Sequence, residues 1–263
     1  MEHLITILKE HQIESDSLEV LFASAQEKSY ILVCEGSTAF SYWQRLRDIV
    51  AQTGYWPVIL GAHSELEYKR QHFDSSIQLN WYGSRSMSPL IEESQAIDVA
   101  KWVKEGDVER TLTLHEQERD RLRLEGVEED EEEEDSWIQD PLEGFLKELT
   151  GQIVLGLFPT TNCWEVPALL RFGDFNECPR ASVHASVMRY WSEKYGLELV
   201  GMSHCDWLAF VAQPPLERAD ALALALEHIE YCPEFMVDTQ CHGNIEALAA
   251  WLLRTSHWSF WWD

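Results

Sequence analysis

The chain ends on His257-Trp258-Ser259-Phe260-Trp261-Trp262-Asp263, with three tryptophans and a phenylalanine in its last six positions. Chain ends fray unless something ties them down. An ending this apolar has to be held, by the fold or by a partner. Trp258, Phe260 and Trp262 alternate with Ser259 and Trp261. That period of two predicts a short strand with one wholly apolar face. Such a strand needs a sheet to pair with and a deep apolar layer to receive it. Trp261 falls on the other face, where it either packs under a helix or anchors another molecule.

The rest of the chain has the means to supply that layer. Hydrophobic residues make up 45% of the 263 positions, and there are 12 tryptophans. This is enough for one large domain or two modest ones. The formal charge of −26 excludes nucleic acid and anionic membrane as partners, since both require a positive surface. A basic protein partner is compatible with it, and so are carboxylates that simply face water. The six cysteines are irregularly spaced and form no secreted framework. The N-terminal residues lack the basic and apolar regions of a signal peptide, and no stretch is long enough to span a bilayer. A cytoplasmic location with reduced thiols is expected.

Leu4, Ile5, Leu8 and Ile13 predict an amphipathic N-terminal helix. Tyr30 to Cys34 reads as a strand. Ser37 opens a helix through Trp43 to Val50, which Gly54 closes, and Trp56 to Gly61 follows as a strand. Ser88-Pro89 starts another helix, and residues 107–124 read as a solvated, charged one. Glu128 to Asp135 is eight like charges in a row, which repel and do not pack. It is either a linker, a docking site for a basic partner or a weak cation sponge. The boundary falls here: an N-terminal α/β region over 1–127, an acidic linker or loop over 128–140, and an α+β domain over 141–263.

In that domain Asp140-Pro141 caps a helix, and Ile153 to Phe158 and Val166 to Leu170 read as strands. A helix through Val183 and Trp191 stops at Gly196. Leu197 to Met202 and Trp207 to Ala212 form a hairpin around Ser203 to Asp206, then two helices precede the terminal strand. The order fits a ferredoxin-like split βαβ layout, an antiparallel sheet with helices on one face and the N-terminal unit packed on it. Helix, Trp43, Gly54, strand echoes helix, Trp191, Gly196, strand. This is either a duplicated unit or the ordinary grammar of helix, glycine and strand.

Several segments together carry a resemblance. They are Tyr42 to Arg47 with Thr53 to Val58; Phe172-Gly173-Asp174-Phe175-Asn176-Glu177-Cys178-Pro179 with His184; Trp191 to Gly196 with Glu198 to Val200; Ala212 to Pro215; Glu230-Tyr231-Cys232-Pro233; and Trp258 to Asp263. This set resembles a bacterial family known as domain of unknown function 4253, most closely over 160–263. The pattern departs from the family at Phe175, where a tryptophan is expected, and after Pro233, where Glu234 replaces an aspartate. The resemblance implies a shared fold and a bacterial cytoplasmic origin; it implies no activity.

Three kinds of chemistry are open to these residues. Zinc prefers thiolates and imidazoles, and Cys178, His184, His204, Cys205, Cys232, Cys241 and His242 fall in the second half. No C-x-x-C spacing is present, so no metal and no cofactor is expected. Cys178 stands six residues before His184 near a helix start, with Asn176 or Asp206 as the group to orient the imidazole. That arrangement fits a Cys/His-dependent hydrolase-like enzyme. The third is an aromatic binding surface at Trp261, Trp262 and Asp263. The expected function is a non-catalytic protein-binding module, immunity-like in one version, with the hydrolase as the alternative.

Overall fold

The computed structural model describes residues 1–23, 28–66, 88–105, 140–233 and 244–262. The acidic run, the charged segment 107–124, Cys241, His242 and Asp263 lie outside the described residues. Among those described, seven strands form one sheet. They are β1 (Glu19–Ala23), β2 (Lys28–Glu35), β3 (Trp56–Ala62), β4 (Gln152–Phe158), β5 (Leu197–Met202), β6 (Asp206–Val211) and β7 (His257–Trp261). Their spatial order is β1-β2-β4-β3-β5-β6-β7. Every neighbouring pair is antiparallel except β3 and β5.

The α+β class and the mostly antiparallel sheet agree with the sequence. The strand order does not follow the split βαβ layout. β3, from the N-terminal region, lies between β4 and β5, so that region contributes central strands instead of packing against a finished sheet. Helices cover both faces, not one. On the first face lie α8 (Ala181–Tyr195), α9 (Arg218–Tyr231) and α10 (Ile245–Leu252), with Trp191, Leu224 and Leu252 in the core. On the second lie α1 (Glu2–Glu10), α2 (Gly36–Asp48) and α6 (Pro141–Glu148), with Leu8, Trp43 and Phe145 against the sheet. Along β4 the two cores alternate residue by residue, Ile153, Leu155 and Leu157 on one side and Val154 and Phe158 on the other. A strand buried on both faces reads as a continuous apolar run, which is why Ile153 to Phe158 shows no polar alternation.

The remaining helices are α3 (Val50–Thr53), α4 (Ser88–Ala96), α5 (Val99–Glu105) and α7 (Val166–Leu170). Helix α7 corrects the expected strand at 166–170. Pro167 sits in its first turn, where a missing N–H costs nothing, and a five-residue apolar run has no periodicity that separates strand from helix. Helix α2 starts at Gly36, one residue before the expected cap Ser37. A Cβ at Gly36 would lie 2.1 Å from the Leu149 carbonyl oxygen, so the helix start crosses that backbone only as glycine. Asp140 caps α6 as its sequence indicates, accepting from the Leu142 N–H at 3.0 Å. No helix among the described residues is long and apolar enough to cross a membrane.

The parallel β3–β5 seam joins the two halves of the sheet, and it is bulged on both sides. Register shifts fall at Ile59/Gly61 against β4 and at Leu199/Gly201 against β6. A bulge frees backbone groups from the ladder. Here the Leu199 carbonyl accepts the Trp56 indole N–H at 3.0 Å and the Trp43 indole N–H at 3.2 Å. The two rings belong to opposite cores, so one acceptor is satisfied from both faces of the sheet. Trp43 also donates to the Pro57 carbonyl at 3.1 Å, tying α2 to β3. The two helix–glycine–strand units therefore lie side by side, with their helices on opposite faces.

Removing either indole donor is expected to cost about 1 kcal/mol, the net value of one hydrogen bond. Removing both leaves a buried carbonyl short of donors, which adds about 1–3 kcal/mol. In urea unfolding, Trp43→Phe with Trp56→Phe is therefore expected to lose more than the sum of the single variants. Strict additivity would dismiss the shared carbonyl as a structural element.

Candidate functional site

Between α7 and α8 the chain forms a strap over residues 171–179. Arg171, Asp174 and Asn176 have positive φ angles of 53°, 66° and 43°, and Gly173 has 99°. Left-handed backbone is costly for any residue with a side chain, so this segment is held by its surroundings. Gly173 is obligatory: a Cβ there would lie 1.8 Å from the Pro179 carbonyl oxygen and 2.8 Å from His184 Nε2. The strap is closed by the Asp174 N–H donating to Pro179 O at 3.1 Å and the Cys178 N–H donating to Phe175 O at 2.8 Å.

Under the strap, Cys178 Sγ lies 3.4 Å from His184 Nε2, so the pair read from the sequence is brought together. Both side chains are buried. Asn176 and Asp206 do not orient the imidazole. Asn176 is exposed on the outer side of the strap. Asp206 starts β6, where its carboxylate accepts the Ser203 hydroxyl. Tyr231 takes the orienting position, its hydroxyl bonded to His184 Nδ1. The Trp207 indole N–H in turn donates to Tyr231 at 3.1 Å.

A carbonyl oxygen only accepts, so the Pro179 carbonyl takes its hydrogen bond from the His184 ring. With that proton on Nε2, Nδ1 accepts from the Tyr231 hydroxyl, whose oxygen accepts from the Trp207 indole. Sequence reasoning missed Tyr231 and Trp207. His184 and Tyr231 are 47 residues apart, and only the packing of α8 against α9 joins them. Glu230-Tyr231-Cys232-Pro233 enters the sequence reading only through the family resemblance, and its spacing carries no other signal.

The surroundings are dry and aromatic. The His184 ring lies 4.7 Å from Phe172, 5.1 Å from Trp262 and 5.4 Å from Tyr231, centroid to centroid. Burial pushes the His184 pKa down to about 3, partly opposed by its hydrogen bond to Pro179. Burial holds the Tyr231 phenol well above its ordinary value. A neutral imidazole whose Nε2 already carries a proton cannot take one from the thiol. As closed, the pair is chemically silent.

The terminal residues divide sharply. Trp262 is fully buried against His184, so it offers no binding surface, contrary to expectation. Trp258 and Phe260 are buried with it, on the face that meets Trp191 and Trp207. Trp261 alone is 41% exposed. It lies opposite Asp206 on β7, at the end of the sheet. Of the cysteines and histidines weighed as zinc ligands, Cys232 donates its thiol hydrogen to the Trp261 carbonyl at 3.1 Å, and His204 is exposed in the hairpin turn. Among the described residues no three His, Cys, Asp or Glu side chains come close enough to hold a metal ion.

A buried Cys–His–Tyr relay inside an α+β sheet defines no reaction class by itself. Residues 154–263 match the model of a family described as a domain of unknown function, DUF4253. Neither the curated proteins nor the solved structures contain a match.

Two buried neutral histidines contribute to the acid sensitivity of the fold. His228 lies within 4.9 Å of the Trp191, Trp258 and Phe260 rings, and burial pushes its pKa down to about 3 as well. Folding lowers both from 6.5, so the unfolded chain binds more protons. Their contribution is complete above pH 6.5 and is lost as pH falls toward about 3. Each histidine costs about 1.4 kcal/mol per pH unit in that window, or up to about 4 kcal/mol for the two at pH 5. Urea unfolding at pH 7.5 and pH 5 checks this; equal stability at both would contradict the neutral, buried assignment.

Proposed function

We propose that the chain is a non-catalytic, cytoplasmic protein-binding module that engages a basic partner through the surface around Trp261. The observation that carries this reading is the exposure of Trp261, 41%, beside three aromatic neighbours at 0–1%. A terminus that buries Trp258, Phe260 and Trp262 and leaves one large ring in water has an anchor available at little conformational cost. The charge of −26 favours a partner of opposite sign and speeds its approach. Neutralising a basic toxin, as an immunity protein does, is one form this function takes.

One observation favours a second reading. Cys178 and His184 are in contact at 3.4 Å, the reach of a hydrolase-like dyad. Against it, the closed site has no base and no access for substrate.

Trp261→Ala separates the two readings. A partner captured from the source organism is expected to bind the variant about 30-fold more weakly, as for a hot-spot tryptophan. Stability should change by no more than about 1 kcal/mol, since the ring is partly in water. Unchanged affinity in titration calorimetry would remove Trp261 from the binding surface.

A further inference from the structure

The sheet has two edges, and they are built differently. β1 closes one side with a register shift at Val20/Phe22. β7 closes the other in unbroken register against β6, with no bulge, lysine or proline along its five residues. Edge strands are usually blunted by such devices, because their unpaired N–H and C=O groups template the addition of another strand.

The β7 ladder shows which backbone groups face outward. The Trp262 N–H donates to the Cys205 carbonyl at 2.9 Å, and the Ser256 carbonyl accepts the Val211 N–H at 2.7 Å. Even-numbered residues therefore face β6, while His257, Ser259 and Trp261 turn their backbone groups away from it. The two ends of that outer row are used within the chain. The Thr255 hydroxyl donates to the His257 carbonyl at 2.9 Å and accepts the His257 N–H at 3.2 Å. The Cys232 thiol donates to the Trp261 carbonyl. Between them, the Ser259 N–H, the Ser259 carbonyl and the Trp261 N–H have no hydrogen-bond partner among the described residues.

We propose that the outer edge of β7 is a strand-addition site, and that its occupant is an extended, basic segment of another protein. The proposal rests on the reading of Trp261 as the anchor for a basic partner, and it gives that partner its conformation. An added strand gains affinity from its main chain and selectivity from alternate side chains. Here charge selects. Asp206 lies directly opposite Trp261, so carboxylate and ring stand side by side on the second face of the sheet. A guanidinium placed there meets an aromatic face and an opposite charge together. A second copy of the chain would bring another −26 to the same edge, and like charges oppose that pairing.

The probe is a synthetic peptide of alternating arginine and valine, about eight residues long, within the range of ordinary strands. Titration calorimetry at low salt is expected to show it binding the full chain. A strand turns alternate amides to opposite edges, so N-methylating one alternating set should abolish binding and N-methylating the other should be tolerated. A peptide held by charge alone would not distinguish the two sets. Ser259→Pro removes the outward N–H and leaves the β6 ladder intact. It is expected to bind the parent peptide about tenfold more weakly, the loss of one hydrogen bond at the upper end of its usual worth. If that variant does not fold, the methylated peptides carry the test on the unaltered chain. Equal behaviour of the two methylated peptides, or no binding of the parent, would overturn strand addition; the effect of Trp261→Ala on a captured partner would still decide the binding surface by itself. Equal binding of a glutamate–valine peptide would overturn the basic occupant. So would a dimer in sedimentation that Ser259→Pro dissolves, since the edge would then belong to a second copy.

Discussion

The burial of one face of β7 is the interaction on which the rest of the molecule depends. Trp258, Phe260 and Trp262 are almost wholly removed from water. They meet Trp191 and Tyr195 of α8, Trp207 of β6 and Tyr231 of α9 in edge-on, tilted and stacked contacts. The last strand in the sequence thus holds together helices and strands made much earlier. It also creates the dry pocket in which His184 and His228 stay neutral. The start of β7 is fixed from the second face, where His257 pairs with Asp140, the residue that caps α6.

The second dependency is the seam between β3 and β5. The family match begins within β4 and includes β5, β6 and β7. Yet β4 and β5 do not pair with each other; β3 separates them. The matched segment has an interrupted sheet unless the N-terminal region supplies that strand. Trp56 on β3 and Trp43 on α2 then bond to the freed Leu199 carbonyl, which links the inserted strand to the segment that receives it. Arg47 adds an ion pair to Glu198 at 2.7 Å, next to the same position.

Local signals in the sequence were legible and long-range ones were not. The alternation of Trp258, Phe260 and Trp262 located β7, and Gly54 and Gly196 marked helix ends through their left-handed backbone, at φ 72° and 65°. Cys178 and His184, six residues apart in the sequence, are in contact at 3.4 Å. Val166 to Leu170 was read as a strand because five apolar residues have no distinguishing period. Strand order was out of reach: the pairing of β3 with β5 spans more than 130 residues of chain and depends on a single parallel register, Ile59 with Gly201. Tyr231 was missed for the same reason. Trp261 and Trp262 are adjacent and chemically alike, and only the pleat, which sends one outward and the other against His184, gives them different roles.

The central claim is that the terminal aromatic strand completes the fold. It is tested most directly by thermal unfolding of a chain truncated after His257. Trp258, Phe260 and Trp262 together contribute roughly 5–9 kcal/mol, at about 1.5–3 kcal/mol for each buried side chain. That is comparable to the whole stability of an ordinary domain, about 5–15 kcal/mol. The account predicts that the truncated chain has no cooperative transition and loses its near-ultraviolet dichroism. A sharp transition at the melting temperature of the full chain would contradict it.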